Sequence, residues 1–132
     1  MADISESPSE FITGPRLTDG NDLNSAFGSP QTSTRSGITA TGAALASAVV
    51  LLTTFNQFTT VAAGTGAALN PKLIPGQYQD IFNDGANPLT VYWASGTIDG
   101  GASATLTNAK RARFFCIAPG VVESAQWGVA SA

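Results

Sequence analysis

The chain has 132 residues, nine acidic and six basic side chains, a net charge of −3, no histidine and one cysteine. These counts exclude, within the chain, a histidine base, a histidine-held metal, an internal disulfide, a cysteine zinc site and a CxxC redox pair. Charged residues are 11% of the total, against roughly 25% in an average soluble domain, and so acidic and lysine-poor a balance suits neither nucleic-acid binding nor a charged helical bundle.

Residues 1–36 form the first compositional unit. They hold five acids and two bases, a balance of −3, so the net charge of the whole chain lies there. Only 9 of these 36 residues are hydrophobic, whereas 17 are Ser, Thr, Pro or Gly. Such a segment has too little apolar surface to offset the entropy of ordering itself. Two apolar clusters interrupt it, Phe11-Ile12 and Leu23 to Phe27. Composition alone reads as a disordered tail; the spacing of the clusters reads instead as an extended arm that becomes ordered on a partner, with Phe11, Ile12, Leu23 and Phe27 as anchors. The start, Met-Ala-Asp-Ile-Ser-Glu, is acidic where a secretory signal is basic, which predicts synthesis in a cytoplasm.

Residues 37–132 are neutral, with four acids and four bases, and 48 of the 96 are hydrophobic. The longest apolar run, Ala43 to Leu52, is ten residues long and broken by Ser47. That is too short for a bilayer, which takes about 20 residues, so no membrane partner is expected. Its Val49-Val50 and Thr53-Thr54 lean toward strand. Further strands are predicted at Phe58 to Ala62, Gln77 to Phe82, Pro88 to Ala94, Ala102 to Leu106, Ala112 to Ala118 and Ala125 to Val129. Within Pro88 to Ala94, Leu89, Val91 and Trp93 share one face. Within Ala112 to Ala118, Phe114 and Cys116 point one way and Arg113, Phe115 and Ile117 the other. Asn83-Asp-Gly-Ala-Asn87 and Asp99-Gly100-Gly101 read as turns in which Gly relieves positive φ. The expected fold is all-β: a small antiparallel β-sandwich or jelly-roll-like body over 37–132, with the extended arm over 1–36.

Candidate chemistry is sparse. Carboxylate chemistry would draw on Asp80, Asp84 and Asp99. The last two read as turn residues before Gly, and Asp80 as a strand residue facing solvent. No calcium-loop spacing occurs, so neither metal nor cofactor is expected. Lys110, Arg111 and Arg113 are the only basic cluster, read either as gatekeepers against edge pairing or as a docking patch for an acidic partner. Trp93, Phe115, Ile117 and Trp127 are candidates for core or oligomer interface. Tyr92, Trp93 and Trp127 also suit a sugar-stacking platform, while Cys116 reads as a small buried hydrophobe.

The order Gly37-Ile-Thr-Ala-Thr-Gly42, Thr59-Thr-Val-Ala-Ala-Gly-Thr-Gly66, Pro75-Gly76, Asn83 to Asn87, Val91-Tyr92, Ser95-Gly96 with Ile98, and Phe114-Phe115-Cys116 with Trp127 resembles a known β-domain. It is found in virion structural proteins of tailed bacteriophages, notably head-fibre and capsid-decoration proteins. The resemblance spans about residues 37–128 and rests on glycine turns and strand ends, so it implies a scaffold and no active site. It implies a non-enzymatic homotrimer on the virion surface, attached to the major capsid protein through an N-terminal segment. The absence of a collagen-like or heptad stalk favours a compact decoration protein over a long fibre. The alternative expectation is a receptor- or carbohydrate-binding module of a tail fibre, spike or baseplate.

Overall fold

A computed structural model of the chain describes residues 33–128. The arm expected over 1–36, including Phe11, Ile12, Leu23 and Phe27, lies outside the described residues except for its last four.

Ten strands make up the described chain: β1 (Thr34–Thr39), β2 (Val49–Val50), β3 (Phe55–Thr60), β4 (Gly66–Ala68), β5 (Tyr78–Asn83), β6 (Leu89–Tyr92), β7 (Thr97–Ile98), β8 (Ser103–Leu106), β9 (Lys110–Ala118) and β10 (Val121–Gly128). They form a six-stranded sheet, ordered β1-β3-β5-β9-β10-β7, and a four-stranded sheet, ordered β2-β4-β6-β8. The first six strands alternate between the sheets. Each odd strand enters the large sheet and each even strand the small one, so the chain winds through three turns of a coil. After a full turn the chain re-enters a sheet in its original direction, and β1, β3 and β5 therefore pair in parallel. The same holds for β2, β4 and β6. The later strands then close the structure with the antiparallel pairings β5–β9, β9–β10 and β6–β8.

The all-β class thus holds, but the arrangement is a solenoid-like coil of two mixed sheets instead of an antiparallel sandwich or jelly roll. Alternation along one strand says which face is buried and nothing about the direction of its neighbour. The stretch from Ala43 to Leu52 also differs from expectation. It folds as a 3₁₀ turn, Leu45–Ser47, followed by the two-residue β2.

One core fills the space between the sheets. The large sheet contributes Ile38, Phe58, Ile81, Ala112, Phe114, Cys116 and Val122, and the small sheet Ala67, Leu89, Val91 and Leu106, with Leu51, Leu69 and Trp93 following strand ends. Three buried amides tie the coil together, mostly by holding backbone groups at the corners where the chain passes from one sheet to the other. Gln79 donates from Nε2 to the carbonyls of Leu51 and Thr53, both at 2.9 Å, and its Oε1 accepts from Asn70 N at 2.8 Å. Asn83 donates to Asn87 O and Leu106 O, both at 3.0 Å, and accepts from Gly85 N at 3.0 Å. Asn56 donates to Thr53 O at 2.9 Å and Asp80 O at 3.1 Å. At the expected Asp99-Gly100 turn, φ is +52° and +82°, and Ile98 and Gly101 exchange both backbone hydrogen bonds. That is a two-residue hairpin turn needing positive φ at both central positions.

Candidate functional site

The outer face of the six-stranded sheet carries the residues that the core does not claim. Because Gln79, Ile81 and Asn83 point inward, β5 presents Tyr78, Asp80 and Phe82 outward. The same parity makes β9 present Arg111, Arg113, Phe115 and Ile117, with Ala112, Phe114 and Cys116 buried beneath. The β9–β10 register sets Trp127 opposite Arg111, Ala125 opposite Arg113 and Glu123 opposite Phe115. On the other side, β5 sets Phe82 opposite Arg111, Asp80 opposite Arg113 and Tyr78 opposite Phe115. Phe55 and Gln57 of β3 extend the rows.

An ion pair organises the middle of this face. Arg113 donates from Nε to Asp80 Oδ1 at 2.7 Å and from Nη2 to Oδ2 at 2.8 Å, a bidentate fork. Its guanidinium lies 4.1 Å from the Tyr78 ring centroid and 6.0 Å from that of Phe115. The hydrogen bonds to Asp80 hold the pKa of Arg113 above its ordinary value, against the opposing effect of burial. Asp80 is only 2% exposed, so the expectation that it faces solvent is corrected. It points away from the core, and its neighbours on the outer face cover it.

Around that pair the aromatic rings interlock. Phe55 meets Phe82 edge-on at 6.5 Å, Tyr78 meets Phe115 at 6.3 Å, and the Arg111 guanidinium carbon lies 5.0 Å from the Phe82 centroid. These are favourable aromatic and cation–π distances. The outer edge of the cluster remains open to solvent, with Phe115 40%, Ile117 57% and Trp127 43% exposed.

Trp93 sits elsewhere. It is buried at the end of β6, and its Nε1 donates to Asn70 O at 3.0 Å. Tyr92 donates its hydroxyl to Ala43 O at 3.0 Å. The sugar platform of Tyr92, Trp93 and Trp127 is therefore not assembled, since Trp93 belongs to the core and Trp127 to the outer face of the opposite sheet. The basic cluster is divided too. Arg111 and Arg113 share the outer face, where Asp80 neutralises Arg113, while Lys110 is exposed at the start of β9 and off that face. The carboxylates are engaged separately: Asp84 accepts from Gln57 Nε2 at 2.8 Å, and Asp99 accepts from Ser124 N at 2.7 Å and from its hydroxyl. Among the described residues no group of three or more carboxylates and cysteines is placed to hold a metal ion. No helix among them is long and apolar enough to cross a membrane.

Sequence reasoning identified Arg113, Phe115, Ile117 and Trp127 but missed Phe55, Tyr78, Asp80, Phe82 and Glu123 as their companions. The alternation of β5 shows that its odd and even positions face opposite ways. Only the register shows which set lies beside Arg113. Comparison of the chain with protein-family models, curated proteins and solved structures finds no match.

Proposed function

We propose that this chain is a non-enzymatic structural protein of a phage virion. In this reading it is a capsid-decoration (cement) or head-fibre protein that associates with copies of itself and is anchored to the major capsid protein by residues 1–36. The observation that carries the proposal is the outer sheet face. A layer of aromatic rings and paired charge ends in the exposed Phe115, Ile117 and Trp127, which suits burial against another protein. Neutralisation of Arg113 by Asp80 supports a partner other than nucleic acid. The acidic, Phe-punctuated arm and the family resemblance support capsid attachment. The resemblance supplies the virion surface location and, together with the apolar outer face, the trimer; the acidic start of the chain supports synthesis in a host cytoplasm.

The mechanism is avidity. An apolar anchor such as Phe11 or Phe27 contributes about 1.5–3 kcal/mol if fully buried, and several arms on one oligomer multiply their individual affinities. The test is to add full-length protein and a variant lacking residues 1–32 to undecorated particles and image them. The full chain is expected to decorate the capsid and the truncated one to fail while keeping its β circular dichroism. Equal decoration by both would remove the arm from the mechanism, and absence of the full chain from particles would remove the virion reading.

Exposure of Trp127 beside Arg111 favours a second reading, a receptor- or carbohydrate-binding module of a tail fibre, spike or baseplate. It predicts that host surface glycans quench Trp127 fluorescence. No change in emission at millimolar glycan rejects it.

A further inference from the structure

The outer face carries two charges of opposite sign that have no ion-pair partner among the described residues, where Asp80–Arg113 is the only salt bridge. One is Arg111, whose Nε is buried with no hydrogen-bond partner among the described residues. The other is Glu123, exposed on β10 opposite Phe115. Glu123 lies four residues along β10 from Trp127, the partner of Arg111. The two charges are therefore about 14 Å apart along the strands and about 5 Å apart across them, too far to meet within one chain.

We infer that this face is self-complementary and seats a second copy of the chain face to face, Arg111 of each copy reaching Glu123 of the other. The inference deepens the self-association part of the proposed function and rests on it. In a two-fold contact, residue i meets j and j meets i, so one cation and one acid at the ends of an apolar stretch are both satisfied. An axis lying in the contact plane, perpendicular to the Arg111–Glu123 line at its midpoint, passes beside Arg113 and Ala125, which are paired across β9 and β10. Ala125 is small, and Arg113 is drawn toward Asp80 and Tyr78, so the centre admits close approach. The rotation carries Phe115 of each copy toward Phe82 of the other. It crosses the two sets of strands at about 40°, near the roughly 30° of aligned stacked sheets. A three-fold arrangement with parallel strands keeps Arg111 and Glu123 of neighbouring copies about 14 Å apart in height. The two-fold contact is thus additional to any three-fold one. An acidic partner fits the face less well, because Glu123 repels it.

The test uses the full chain and its assembly mass by sedimentation velocity. Arg111→Glu and Glu123→Arg are each expected to halve the parental mass and raise the dissociation constant about ten-fold or more. The double variant, and an equimolar mixture of the two single variants, are expected to restore the pairing, because each then sets Glu against Arg. A folding defect in one variant does not produce recovery on mixing. Three results overturn the inference: a parent that stays a single copy at about 100 μM, single variants that keep the parental mass, or folded variants that do not recover when mixed. Failure of the virion reading shows instead as absence of the protein from particles, with the charge-reversal result unaffected.

Discussion

Replacing Arg113 by Met removes the cation from the half-buried ion pair while keeping most of the side-chain volume. The Asp80 carboxylate, 2% exposed, loses two hydrogen bonds and its only ion-pair partner among the described residues. Breaking a buried pair by deleting one partner costs about 3–5 kcal/mol. The Arg113 side chain is itself 35% exposed, so water reaches the vacated position and the low end applies, about 3 kcal/mol. In a body of this size that corresponds to a fall in Tm of about 12–24 °C. Urea unfolding of the full chain followed by circular dichroism measures it, with an unchanged m-value marking a true stability change. The companion variant, Asp80→Leu with Arg113→Met, removes both charges and is expected to lie within about 1–2 kcal/mol of the parent. A single-variant loss below about 1 kcal/mol, or a double variant at least as damaged as Arg113→Met alone, refutes the reasoning that the buried Asp80 depends on Arg113.

Gly96→Ala is expected to destabilise by about 3 kcal/mol, because a Cβ there runs into the Gly120 carbonyl; calorimetry measures the lowered Tm. Asn83→Ala removes three hydrogen bonds, to Leu106 O, Asn87 O and Gly85 N, made by a side chain that is itself fully buried. Its expected loss is about 2–4 kcal/mol, and a urea midpoint within error of the parent would count against the corner role. At dilution where the chain is a single copy, Trp127→Phe should change stability by less than about 1 kcal/mol but leave only the buried Trp93 emitting, so emission moves to shorter wavelength and acrylamide quenching drops. Cys116, 2% exposed, should react with a thiol reagent only on unfolding; fast labelling of the native chain contradicts its burial.

Several features of this molecule were legible before any coordinates. The alternation Phe114-Cys116 against Arg113-Phe115-Ile117 assigned the two faces of β9, and Leu89-Val91-Trp93 assigned the buried face of β6 and its continuation. The Asp99-Gly100 dipeptide marked a hairpin turn. Each signal is local, because side-chain parity has a period of two and a positive φ selects Gly or Asp within a few residues. Strand boundaries were less legible: the predicted Phe58 to Ala62 is Phe55–Thr60, and the strand expected from Ala125 to Val129, whose last residue lies outside the described residues, already begins at Val121.

Tertiary structure decided which strands lie side by side and in which direction. The coil's parallel pairings join β1 to β3 and β3 to β5 across intervening excursions into the other sheet, and no single strand encodes such a return. The same long-range register placed Asp80 against Arg113, 33 residues away, turning a nominally solvent-facing acid and a nominally free base into one ion pair whose acid is buried. It also gathered Phe55, Tyr78 and Phe82 onto the face of Phe115 and Trp127. Residue type and parity, which are short-range, determined which face of each strand is apolar. Register, which depends on the whole winding of the chain, decided which of those faces became a surface.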